Sequence, residues 1–518
     1  MPKFIHYDYD QITLVPVDFR NQLQSGTFEH AIHYLIDKKL DLSIFYPKFK
    51  NDDEGRPAYD PKILLKIILF AYSKGITSSR EIQWCCKNNI IFKALSCNTV
   101  PHFTTIASFV SSSCEEIESL FEQILLICDE QGLLGNELFA IDGCKMPSNA
   151  SKEWSGKFKE LEAKRSKIKR QLRYQMEAHK KSDQNQSHDE KQKQRIEQTI
   201  ETLDKSHEKI DRFLKTTKPR MGKGKRPKEV KSNITDNESA KMTTSKGTIQ
   251  GYTAVAAVDK KHQIIVDAQA FGEGQEHHTL EPILEQIKER YERLGINDNI
   301  YSEGTKVTAD TGFSNEANMK YLKENNIDAY IPDNKFRSRD PKFADQKIKY
   351  GKRQKPNKTQ CFRSSEFQFD SINKTCICPA GERMWLRSEE VVTPSYESMV
   401  FEGRVSKCRS CNLKAQCMRN PEAADNPSGH GRQVSFTLSK KKLSSFTDWM
   451  KHRVDSQKGK DIYSHRMSVV EPVFGNIGTN KKLNRFSLRG KTKVNGQWKL
   501  FSMIHNIEKL TNYGNLAA

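Results

Sequence analysis

Two short apolar runs in this chain each deliver an aspartate close to a glycine: Phe139-Ala140-Ile141-Asp142-Gly143 and Val307-Thr308-Ala309-Asp310-Thr311-Gly312. Runs of this length, bounded by turn residues, read as strands. Between them, Tyr252 to Val258 and Gln263 to Ala268 flank the turn Asp259-Lys260-Lys261 and predict a hairpin. A helix is expected over Thr279 to Leu294, a second over Asn315 to Asn325, and a last strand over Asp328 to Pro332. This order fits an α/β layer whose first and fourth strands are neighbours. Asp142 and Asp310 would then stand side by side at carboxyl-terminal strand ends, where open sheets present their sites. A lone aspartate before glycine is ordinarily a turn or cap residue. The two make a motif only if a third acidic group reaches the same place.

The first aspartate is followed by an insertion that says what the partner is. Residues 151–230 hold 24 Lys and Arg against 13 Asp and Glu, a net +11 of the chain's +20. A merely solvated helical face would be nearer balance, so the excess points to a polyanion. An anionic lipid surface fits less well, because the stretch lacks the bulky apolar face of an interfacial helix. Phe158, Leu161, Arg165, Ile168, Leu172 and Gln175 recur at three- and four-residue steps, as do Ile196, Ile200, Leu203, His207, Ile210 and Leu214 beyond the polar break Ser182 to His188. The pattern predicts an antiparallel helical hairpin with a thin apolar seam, followed by a flexible basic linker over Lys218 to Lys228.

Before the first strand the chain is helical. Pro61 to Tyr72 opens on proline and is apolar on more than one face, as a buried helix is. Gly75 ends it, Ser79 to Asn88 makes a second helix, a third runs from Pro101–Thr104 through Phe109, and a fourth covers Glu115 to Gln131. Short helices joined by such turns resemble a helix-turn-helix unit. No apolar run approaches the ~20 residues of a membrane span, and Met1 to Asp8 has no apolar leader. The expectation is a soluble protein that stays where it is made.

The third acid comes from Tyr463-Ser464-His465-Arg466-Met467-Ser468-Val469-Val470-Glu471-Pro472-Val473-Phe474-Gly475, read as a helix with Val470, Val473, Phe474 and Ile477 inward. With the two aspartate runs, this segment resembles the Asp-Asp-Glu transposases of bacterial insertion sequences. Gly55-Arg56-Pro57 to Tyr72, Ser232 to Asp236 with Gly251-Tyr252, Leu488-Arg489-Gly490 and His505-Asn506 also match the group. Two positions depart from it: His102 replaces a more usual aspartate, and Gly478 stands seven residues after Glu471, where the family is basic, so that Lys481 is the first later lysine.

The resemblance implies a multidomain α/β protein with an amino-terminal all-α DNA-end-binding domain (1–135) and a ribonuclease H-like mixed-sheet core (136–150 and 230–345). The core would be interrupted by the basic hairpin and linker (151–229) and by a cysteine-rich insertion (346–440). Residues 441–518 would supply the helix carrying Glu471 and a basic carboxyl-terminal tail. Asp142, Asp310 and Glu471 would be catalytic and hold two Mg²⁺ or Mn²⁺ ions, since oxygen ligands suit such cations. Tyr463, Arg466, Lys481 and Arg489 would position DNA. The function implied is binding of terminal inverted repeats, cleavage and strand transfer to target DNA, by a homodimer in the cytoplasm, associated with the nucleoid. A catalytically dead DNA-binding regulator, or an endonuclease without strand transfer, are the alternatives.

Twelve cysteines fall into two groups. Those from Cys85 to Cys144 read as small buried hydrophobes. In the second group, Cys378, Cys408, Cys411 and Cys417 offer a possible structural zinc site, with packed free thiols as the alternative; the one-residue gap between Cys376 and Cys378 is unusual for zinc.

Overall fold

A computed structural model describes residues 17–49, 57–184, 190–223, 227–343, 361–392, 396–426, 428–440 and 445–516, with backbone only at 181–184, 190, 192 and 440. The leader reading at Met1 to Asp8, the matched Gly55 and Arg56, and most of the polar break before His188 lie outside the described residues. The chain forms two compact units, residues 1–333 with 450–518, and residues 334–449.

The first unit is organised by a six-stranded sheet: β1 (Leu138–Pro147), β2 (Ala240–Thr244), β3 (Gly247–Asp259), β4 (Ile265–Phe271), β5 (Lys306–Ala309) and β6 (Asp328–Tyr330). The order is β2-β3-β1-β5-β6, with β4 also on β3. β1 runs antiparallel to β3 and parallel to β5, and β5 runs parallel to β6. Residues Leu138 to Ile141 and Ala254 to Val258 are buried throughout, which is why they read as unbroken apolar runs rather than alternating ones. Ile141 pairs with Ala309, so Asp142 and Asp310 each follow the last rung of one parallel ladder.

Helices pack directly on this sheet. The expected helices appear as Pro61–Ser73, Ser79–Asn88, Phe103–Ser112 and Cys114–Glu130, joined by the shorter Phe28–Tyr34 and Ile90–Leu95. His102, in place of the usual aspartate, still caps its helix: Nδ1 accepts from the Thr104 N–H at 3.4 Å. The residues expected as a basic tail are instead the helix Lys491–Tyr513. Val494, Trp498, Phe501, Ile504, Ile507 and Leu510 are all buried on it, and its lysines masked that periodicity. It packs against Cys114–Glu130 and β4, which places the amino-terminal helices and the sheet in one unit. The family-matched residues near its end are structural. Asn506 Oδ1 accepts from the Ile265 N–H at 2.8 Å and its Nδ2 donates to the Ile265 carbonyl at 2.9 Å. Gly490, at φ +86°, starts the helix from a backbone conformation L residues avoid.

The basic insertion is a hairpin of helices Phe158–Gln184 and Glu190–Thr216. Leu161, Ile168, Ile210 and Phe213 form its seam with Ile234, and Arg165 crosses it to Asp211 at 2.8 Å.

The second unit holds a five-stranded antiparallel sheet made by Gln368–Asp370, Thr375–Ile377, Arg383–Val392, Tyr396–Glu402 and Gln433–Lys440. Its core is Phe367, Cys376, Met384, Met399, Phe401 and Val434. In the first cysteine group Cys85, Cys86 and Cys128 are buried as expected, whereas Cys97 and Cys144 are exposed.

Candidate active site

The parallel β1 and β5 deliver Asp142 and Asp310 at matching register, and each is fixed by the backbone that follows it. Asp142 Oδ1 accepts from the Gly143 N–H at 2.9 Å, and Asp310 Oδ1 accepts from the Thr311 N–H at 2.7 Å. The helix Gln457–Gly475 packs over β1 with Val470, Val473 and Ile477 buried and Phe474 stacked on Trp498 at 6.0 Å. That seating turns Glu471 outward into a cleft of about 560 Å³ that Asp142, Lys145, Thr243 and Glu276 also line. Asp310 is not part of that lining.

Arg466, five residues before Glu471 on the same helix, is 6% exposed and donates from Nη1 to Asp142 Oδ2 at 2.9 Å. Its guanidinium lies 5.9 Å from the Tyr463 ring centre. Its buried Nε has no hydrogen-bond partner among the described residues. The other two residues expected to position DNA lie apart. Arg489 is exposed and donates to the Asn149 carbonyl at 2.6 Å. Lys481 is 1% exposed with Nζ on Glu508 at 2.5 Å, a packing role that leaves no cation to offer to DNA.

Glu276 is the residue that sequence reasoning missed. It opens a short turn of helix, Glu276–His278, between β4 and the helix Leu280–Arg293. A Cβ built on Gly143 would meet its Oε1 at 2.8 Å, and one on Gly312 its Oε2 at 2.0 Å. Gly143, directly after Asp142, and Gly312, two residues after Asp310, therefore make room for one shared carboxylate. The only sequence signal was those two glycines, and a glycine does not name what fills its space.

Crowding of carboxylates shows in their acidity. Burial raises the Asp142 carboxyl above its ordinary value, against the pull of Arg466, and nearby Asp310 adds to the rise. Burial, then the charges of Asp142 and Asp310, push Glu276 up to about 7. An all-oxygen donor set with unbalanced negative charge is the chemistry of a hard divalent cation site. As the side chains stand, no three His, Cys, Asp or Glu among the described residues are close enough to share an ion.

Two other acids on or beside the sheet serve the fold instead. Asp236 accepts from the Tyr252 hydroxyl at 2.8 Å, and buried Asp259 accepts the backbone N–H groups of Gly135, Asn136 and Lys261.

Among the described residues no helix is long and apolar enough to cross a membrane. Residues 377–511 match the family model described as Transposase DDE domain, which spans Glu471 but neither aspartate, and residues 17–112 match Transposase domain (DUF772). No curated protein and no solved structure matches the chain. Transposase matches over both its amino-terminal helices and its carboxyl-terminal part support an insertion-sequence transposase of the DDE class.

Proposed function

We propose that the protein binds the terminal inverted repeats of its element, cleaves the donor DNA and joins the freed 3′ hydroxyl to target DNA, with Asp142, Asp310 and Glu471 as the catalytic carboxylates. One observation carries this reading: the two aspartates each follow the last paired rung of adjacent parallel strands at matching register, although β1 itself runs on to Pro147, and Glu471 faces the same cleft as Asp142 from the helix packed over β1. The β3–β4 hairpin beside parallel β1, β5 and β6 supports a ribonuclease H-like core.

Glu276 joins the three as a fourth carboxylate. The set would hold Mg²⁺ or Mn²⁺, two ions in the reading from resemblance, and bound cations would activate the attacking oxygen and stabilise the leaving one. Arg466 fixes Asp142 in the meantime, and its free Nε points to a phosphate oxygen as its partner in the DNA complex. Lys145 stands in the same cleft with a cation for the DNA backbone. The exposed lysines and arginines of the hairpin supply sequence-independent affinity, and the amino-terminal helices read the repeat. Pairing two ends makes a homodimer the working form.

The test is a joining assay. Protein, end-labelled terminal-repeat duplex and target plasmid are incubated with Mg²⁺ or with chelator. Joined product with Mg²⁺ alone is expected. Cleavage without joining would reduce the reading to an endonuclease, and bound but uncut DNA would reduce it to a regulator.

A further inference from the structure

We propose that the second unit holds a structural zinc ion on Cys378, Cys408, Cys411 and Cys417, closed around the small cavity that all four line. The sheet itself sorts the cysteines. Cys376 is fully buried in the core with its sulfur 3.7 Å from that of Met384. Two residues on, past the strand end, Cys378 belongs to the cavity instead. The odd one-residue spacing thus dissolves, because one member of the pair packs the core and only the other serves the cavity. Of the five cysteines left in this unit, Cys361 is not part of the cavity lining, and the four that line it are the number a closed structural zinc site takes.

Each ligand sits at or beside the end of a strand or short helix. The Cys378 carbonyl accepts from the Gly381 N–H at 2.8 Å, with Gly381 at φ +81°. Cys408 and Cys411 bracket the end of the helix Val405–Arg409, and Cys417 ends the helix Lys414–Cys417. Cys417 lines the same cavity as Cys378, Cys408 and Cys411. Cys408 is given its space by two glycines: a Cβ on Gly403 would meet its Sγ at 2.8 Å and one on Gly431 at 3.3 Å.

The surroundings fit the charge. Four thiolates around Zn²⁺ carry a net charge of minus two, and Arg404, Lys407, Lys414 and Arg432 line the same cavity. The buried Nε of Arg432 lacks a hydrogen-bond partner among the described residues, as a donor waiting for a thiolate would. The space of about 40 Å³ suits one ion and is too small for an organic ligand. No three possible ligands among the described residues stand close enough to share an ion, so zinc binding would require the sulfurs to turn inward. Binding would release the four thiol protons to solvent while four Zn–S bonds form.

The experiment is metal analysis of the full-length protein purified without chelator, together with Co²⁺ titration of the reduced, metal-stripped protein. One zinc per chain and the intense near-ultraviolet sulfur-to-cobalt absorption of a thiolate site are expected. Cys411→Ser should lose the zinc, while Cys376→Ala should keep it. Zinc-free wild-type protein showing no such absorption with Co²⁺ would overturn the proposal, as would full zinc retention by both Cys408→Ser and Cys411→Ser.

Discussion

Arg290 ties the amino-terminal helices to the sheet, and its removal should cost far more than a surface arginine does. The side chain is fully buried. Nη1 bonds Asp267 Oδ1 at 2.7 Å and the Val266 carbonyl at 2.9 Å, and Nη2 bonds Glu118 at 2.7 Å. Replacing it with Met keeps much of the apolar stem but removes every bond. Glu118 retains Lys499 and Glu122 retains Arg293, so the loss concentrates on Asp267, which is 0% exposed and, among the described residues, keeps the Gln269 amide at 2.9 Å as its side-chain partner. Removing one partner of a buried ion pair costs about 3–5 kcal/mol, whereas replacing both by apolar groups is often near neutral. Urea denaturation followed by circular dichroism should therefore show Arg290→Met destabilised by about 3–5 kcal/mol. Arg290→Met with Asp267→Leu should recover most of that loss. A single variant within about 1 kcal/mol of wild type, the range of a surface pair, would refute the coupling, as would a double variant worse than the single.

Three further outcomes follow from side chains already placed. Neutralising exposed Lys169 and Arg170 should lower the salt-dependence slope of duplex binding by about 0.9 for each phosphate no longer neutralised; Arg165→Ala should instead loosen the hairpin, since that guanidinium is engaged by Asp211, and an unchanged slope in the first variant would make the hairpin a packing arm. His505 is held neutral, its Nε2 against the Gln263 carbonyl at 2.9 Å, and burial pushes its pKa down to about 3. Its contribution is complete above the unfolded value near 6.5 and fades as pH falls toward 3, so about 2 kcal/mol should be gone by pH 5, and His505→Gln should flatten that part of the stability profile. Gly312→Ala should reduce cleavage while leaving fold stability and repeat binding close to wild type, because the added methyl displaces the flexible end of Glu276 and no backbone; full cleavage by this variant would remove Glu276 from the site.

What was legible in the sequence was whatever local pattern dictates. The runs ending at Asp142 and Asp310 read as strands and are strands, but Asp142 is not at a strand end, because antiparallel pairing carries β1 on to Pro147; the Leu161, Ile168 and Ile210 spacing marked a helical seam. Parallel pairing of β1 with β5 followed from element order. Long-range choices were hidden. Lys481 drew attention as the first lysine after Glu471, yet its partner Glu508 lies in another helix. The Lys491–Tyr513 helix carries enough lysine to resemble a tail, and burial of Trp498 against the Val255 carbonyl is a tertiary fact. Glu276 sits on no strand end, and only the fold brings it over Gly143 and Gly312. Cys376 and Cys378 looked like a defective pair until the sheet edge separated them.

Cleavage and binding of one labelled terminal repeat by Glu471→Ala, measured in the same Mg²⁺ mixture as wild type, bear most directly on the proposed chemistry. The repeat should be bound much as by wild type and left uncut. Glu471→Asp should also fail, because a carboxylate drawn back by one methylene leaves the position that metal geometry demands. Wild-type cleavage by Glu471→Ala would contradict the assignment and move the third catalytic carboxylate to Glu276.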